Sequence, residues 1–126
     1  NADGSYTLMA VAQLYKQLAP LFYDSALRVT TSSPAASDGT AYSVRGGAFR
    51  SADGTKAAVM AVNRDKLTPY LLNVKGVGAY TRLTAQLLTA TGQAADSYTA
   101  ATAVAGSTGG YTLPPLSILL LTYSHP

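Results

Sequence analysis

From residue 25 onward the chain is cut into short runs of strand-forming residues by Gly, Pro, Ser and Asp clusters, and this punctuation limits the folds it can adopt. Leu27–Thr31 alternates and is rich in β-branched residues, and Ser32–Thr40 is a Ser/Pro/Ala/Gly loop. Ala41–Arg50 reads as a strand in which Gly46-Gly47 predicts a bulge or bend. Ala52-Asp-Gly-Thr55 is a turn signal, followed by Lys56–Asn63, a continuous apolar run that fits a strand buried on both faces. After a turn at Arg64–Thr68, the residues Tyr70, Leu72 and Val74 share one face against Leu71, Asn73 and Lys75. Gly76-Val-Gly78 then breaks the chain. Tyr80–Thr91 predicts a longer strand with Leu83, Ala85 and Leu87 on one face, and Gly92–Ser97 is a turn. Thr99–Val104 is a weak strand of small residues, and Tyr111–Pro115 leads into a last strand, Leu116–Tyr123. Six to eight short strands at this spacing indicate an antiparallel β-sandwich.

The first segment follows a different rule. Leu8, Val11, Leu14, Tyr15, Leu18 and Phe22 recur at three- and four-residue steps, while Gln13, Lys16 and Gln17 cluster on the other side. That spacing predicts an amphipathic helix over Tyr6–Phe22, capped from Asp3-Gly4-Ser5 and ended by Pro20. A lone helix of this length gains its stability by burying its apolar face, so it must pack on the following domain or on a partner. The expected organisation is mainly β: one amphipathic helix in residues 1–24, then an antiparallel β-sandwich over residues 25–126.

Chemistry-bearing residues are sparse. All six acids are aspartates, Asp3, Asp24, Asp38, Asp53, Asp65 and Asp96; there is no glutamate and no cysteine. Their contexts read as turns or helix starts, where carboxylates are solvated and structural. The lone histidine, His125, reads as frayed and has no partner for a metal site. Ser117 has no histidine within reach of any element placed here, which argues against a nucleophile. Asp53-Gly54-Thr55 lacks the further oxygen ligands of a calcium loop, and neither Gly46-Gly47 nor Gly109-Gly110 opens a phosphate-binding helix. The residues therefore supply no catalytic, cofactor-binding or metal site.

Nine Lys and Arg give a formal charge of +3, but no two are adjacent, so the footprint of a nucleic-acid binder is missing. Residues 1–20 lack the basic start and apolar run of a signal peptide, and Leu116–Leu121 is too short to span a bilayer. Charged residues make up only 12% of the chain, which suggests an extracellular protein or a piece that packs against something else. Among the nine tyrosines, Tyr70, Tyr80 and Tyr123 fall in strand patterns, where core or rim packing competes with sugar stacking.

The stretch Asp53-Gly-Thr-Lys-Ala-Ala-Val-Met-Ala-Val-Asn-Arg-Asp65, the tyrosine- and leucine-bearing strand after it, and Leu113-Pro-Pro-Leu-Ser-Ile-Leu-Leu-Leu121 together carry a resemblance. They resemble the C-terminal β-sandwich that follows the (β/α)₈ barrel in several clan A glycoside hydrolases, such as arabinofuranosidases, β-xylosidases and some endoglucanases. In those families a strand like the first of these stretches ends in an asparagine, here Asn63, and a Leu-Pro-Pro-Leu strand, here residues 113–121, closes the domain. Tyr6–Phe22 is similar to their last barrel helix.

Enzymes of that clan use two barrel glutamates, roughly 5 Å apart when retaining. None can be carried over to a chain without glutamate. The resemblance thus implies a non-catalytic part of a secreted or periplasmic polysaccharide-degrading enzyme, docked to a catalytic (β/α)₈ domain on another chain or segment, with no cofactor. An autonomous carbohydrate-binding module and a ligand-free spacer are the alternatives. Nucleic acid and membrane are not expected partners.

Overall fold

The computed structural model describes residues 15–30, 32–34, 42–90 and 99–126. Among them eight strands follow in chain order: β1 (Ser25–Leu27), β2 (Val44–Arg50), β3 (Lys56–Asn63), β4 (Tyr70–Leu72), β5 (Thr81–Thr89), β6 (Thr99–Thr102), β7 (Tyr111–Leu113) and β8 (Ser117–Ser124). Six of them form one antiparallel sheet in the order β1-β2-β3-β8-β5-β6. β4 and β7 pair antiparallel as a second, two-stranded layer. The result is the β-sandwich that the turn spacing predicts.

The core lies between the layers. Ala57 and Ala61 of β3, Leu119, Leu121 and Tyr123 of β8, and Tyr111 and Leu113 of β7 form one buried cluster. Leu113, Leu119 and Leu121 have no exposed surface. Burying each such leucine contributes about 1.5–3 kcal/mol, so these three are the anchor of the sandwich. Leu72, Val74, Val77 and Tyr80 pack against the cluster from the second layer, as the alternation Tyr70/Leu72/Val74 requires.

The opposite face of the large sheet is also apolar. Leu88 and Leu120 are buried there with Leu18, and Leu21, Met60 and Ile118 pack around them. This explains the unbroken hydrophobicity of β3 and β8: residues 57, 59 and 61 face the second layer, while Ala58 and Met60 face the helical segment. Residues 15–18 are helical and tighten into a 3₁₀ turn at Ala19–Leu21, where Pro20 sits among the first residues of the turn. Proline lacks the N–H that an α-helical turn would use, which favours this ending. Of the expected apolar stripe, Leu18 is buried, whereas Tyr15 and Phe22 are exposed. The rest of the expected helix, with its caps, lies outside the described residues, as do Asp3, Asp38 and Asp96.

Three local expectations give way. Gly46-Gly47 makes no bulge: β2 pairs with β3 residue for residue, from Val44↔Asn63 to Arg50↔Ala57. Gly47 instead lies near the ring of Phe49, which meets Phe22 edge-on at 5.0 Å. The irregularity falls in β5, between Arg82 and Thr84. Leu83 is pushed out and 62% exposed, so only Ala85 and Leu87 of the expected trio reach the inner core. Finally, the first strand is Ser25–Leu27 rather than Leu27–Thr31, because the Asp24 carboxylate accepts the Ala52 N–H at 2.8 Å and sets the register at Ser25↔Arg50.

Candidate functional site

Three polar residues that the sequence singles out, Asn63, Asp65 and Ser117, gather at the end of β3. Asn63 is 1% exposed, and its Nδ2 donates to the carbonyls of Thr68 (2.9 Å), Leu113 (3.1 Å) and Pro114 (2.9 Å). Its Oδ1 accepts the Asp65 N–H at 3.0 Å. One side chain thereby ties β3 to the 64–68 turn and to the β7–β8 connection. Ser117 is fully buried in the same region and donates to the Pro114 carbonyl at 2.6 Å.

Asp65 corrects the reading of the aspartates as solvated. It is 1% exposed, and its Oδ1 accepts the N–H groups of Leu67 (2.8 Å) and Thr68 (3.0 Å). Its Oδ2 accepts the Tyr70 hydroxyl at 3.1 Å, and Tyr70 in turn accepts from Ser43 Oγ at 2.9 Å. A buried carboxylate is tolerated only when it is hydrogen-bonded in this way. The sequence signal was present in Asn63-Arg-Asp65, where two turn-forming side chains two residues apart follow directly on a buried strand. Asp65 and Ser117 are sealed from solvent, so this cluster holds backbone in place.

The other expected residues are dispersed. Asp53 turns the β2–β3 hairpin: its Oδ1 accepts from Ser51 Oγ (2.6 Å), Thr55 N–H (2.9 Å) and Thr55 Oγ1 (2.8 Å), while Gly54 takes φ 74°. The Ser51 hydroxyl and the two Thr55 donors bring the Asp53 carboxyl down to about 2. His125 is not frayed: its N–H donates to the Thr55 carbonyl at 2.8 Å and its ring meets Tyr80 edge-on at 5.3 Å. No group of three or more potential metal ligands occurs among the described residues.

Tyr80, Tyr111 and Tyr123 are engaged within the fold. Tyr80 donates its hydroxyl to the Gly54 carbonyl at 3.0 Å, and Tyr123 is 5% exposed. Burial, then the neighbouring Tyr111, raises the Tyr123 phenol above its ordinary value, with Arg82 opposing. Arg82 also donates to the Tyr111 hydroxyl and lies over that ring. Tyr42 is exposed, with the Arg45 guanidinium 5.2 Å from its ring centroid. No described helix is long and apolar enough to cross a membrane.

No family model matches this chain, and no curated protein matches it. Solved structures do. The family 51 α-L-arabinofuranosidase AbfB from Bifidobacterium longum superposes with a TM-score of 0.70 at 20% identity over 87% of this chain. The fold is shared. A second arabinofuranosidase structure superposes with a TM-score of 0.66 at 16% identity over 90% of this chain. The chain spans only 24% and 28% of the lengths of those two proteins. The sandwich is thus a fold that these arabinofuranosidases carry within much longer chains, in line with the resemblance carried by Asp53–Asp65 and residues 113–121.

Proposed function

We propose that this chain is the non-catalytic β-sandwich portion of a polysaccharide-degrading glycoside hydrolase, docked to a (β/α)₈ catalytic domain that it stiffens. One observation carries the reading: the match takes in 87% of this chain but 24% of the arabinofuranosidase it resembles. The second sheet face supports it, because an ordinary two-layer sandwich has a polar outside, whereas here Leu88 and Leu120 are buried beneath Leu18. Tyr15 and Phe22, 66% and 47% exposed on the same helical segment, offer an apolar surface to the catalytic domain. Catalytic glutamates would lie on that domain, and the parent enzyme would be secreted or periplasmic.

Mass spectrometry of the purified natural sample, native and then denaturing, tests the reading. Either a larger chain that stays bound natively and separates on denaturation, or one longer polypeptide that contains this sequence, is the expected result. A 13.0 kDa species that is alone under both conditions would overturn the docked arrangement. The carbohydrate-binding-module reading has less support, since Tyr70, Tyr80 and Tyr123 are all committed to packing or internal hydrogen bonds.

A further inference from the structure

Two segments bordering the inner side of the sandwich run on from strands without carrying on the strands' hydrogen bonds. Past the end of β4 the alternation persists, with Val74 half-buried between exposed Asn73 and Lys75. Among the described residues, no backbone hydrogen bond engages residues 73–75. Past the end of β1, the backbone of residues 28–30 makes no hydrogen bond among the described residues either. Both segments line one cavity of about 440 Å³, whose floor includes Ala48, Ala57 and Val59 of the large sheet.

The layers themselves are unequal, with six strands in one and two in the other. Among the described residues, the part of the six-stranded layer that β4 and β7 leave uncovered lies on the β1–β2 side, where this cavity opens. Leu27 and Val29 on its bank are 37% and 44% exposed. Arg28, Arg50 and Lys75 also line it, all three exposed, and no carboxylate does so among the described residues.

We propose that this cavity accepts an extended strand from outside these 126 residues, added to the free edge of β4 along residues 73–75. Backbone donors and acceptors repeating every ~3.4 Å along an unpaired edge are matched by another backbone rather than by a compact small molecule. The small residues of the floor call for large apolar side chains at alternate positions of the incoming strand. The three cations call for acidic residues on its remaining positions. This inference goes beyond the docking reading and does not depend on the partner's being a glycosidase.

The test is selection of a displayed library of short peptides, apolar at alternate positions and random elsewhere, against the 126-residue chain. Hydrogen exchange is then measured on the chain, free and with the selected peptides. The expected result is enrichment of acidic peptides that slow exchange of the amides of residues 73–75 and lose at least tenfold in affinity for Lys75→Pro. That proline sits at an exposed position whose N–H bonds nothing among the described residues, so thermal stability of the variant should hold. The double variant Arg50→Glu/Lys75→Glu should select basic peptides instead. No enrichment, unchanged affinity for Lys75→Pro, or amides of residues 73–75 already slow in the free chain would each overturn the proposal. The last outcome would mean that the chain, alone or as a second copy, fills the cavity itself.

Discussion

Asn63 should be the most sensitive polar position in the molecule, and Asn63→Leu is the perturbation that shows it. The side chain keeps its four heavy atoms and its branch at Cγ, with two bulkier methyl groups in place of the amide, but loses one acceptor and both donors. Four backbone groups are then without it: the carbonyls of Thr68, Leu113 and Pro114 and the N–H of Asp65. Two of them are cheaply compensated. The Pro114 carbonyl keeps the Ser117 hydroxyl at 2.6 Å, and the Thr68 carbonyl is partly open to water. The bonds to the Leu113 carbonyl and the Asp65 N–H are fully buried. At about 1–3 kcal/mol for each buried group left unpaired, the expected loss is about 4 kcal/mol. A domain of this size loses about 3–5 °C of Tm per kcal/mol, so the midpoint should fall by about 15 °C. Urea unfolding followed by circular dichroism should show a lower midpoint at unchanged slope, with Asn73→Leu on the exposed face as the control within about 0.5 kcal/mol of wild type. A loss below about 1 kcal/mol for Asn63→Leu would show that the side chain does not tie β3 to the β7–β8 connection, and the account of this cluster would be wrong.

Leu18→Ala should cost about 2 kcal/mol and speed amide exchange in residues 15–21 while the large sheet stays protected, because Leu18 caps Leu88 and Leu120 from one side only; equal loosening of β8 would refute the layered packing. Ser117→Ala should cost about 0.5–1.5 kcal/mol through its bond to Pro114, read as a lower urea midpoint at unchanged slope. The Asp53 carboxyl, held at about 2 against an ordinary 3.8, contributes stability that is present above the ordinary value and lost as pH falls from about 4 toward 2. An NMR titration should place its midpoint near 2, and Asp53→Asn should flatten the acid limb of the stability curve; a midpoint near 4 would refute the turn's hydrogen bonding.

Much of this fold was legible because binary patterning is local. The alternation at Tyr70, Leu72 and Val74, the two-faced burial of residues 57–61 and the Asp53-Gly54 turn are each decided by neighbours a few residues away. What stayed hidden depends on residues distant in sequence. Nothing near Gly46-Gly47 says that β3 will pair with it straight through, or that the irregularity will appear at Leu83. The burial of Asp65 depends on Tyr70, Leu67 and Thr68 folding back over it, and the ties of Asn63 to Leu113 and Pro114 cross fifty residues of sequence. The comparison with arabinofuranosidase structures bears out the fold implied by the two strand motifs.

The position of β8 has a consequence for how this polypeptide is made. Residues 117–124 lie between β3 and β5, and among the described residues no other strand joins the β1–β3 half of the large sheet to the β5–β6 half. A ribosome synthesising the chain releases both halves, and the small layer that faces them, before it releases the seam. Until residues 117–124 clear the exit tunnel, the edges of β3 and β5 are bare and the two halves have no common ladder. Folding of the sheet is therefore deferred to the end of this segment's synthesis. The nascent chain should depend at that moment on factors that shield open strand edges.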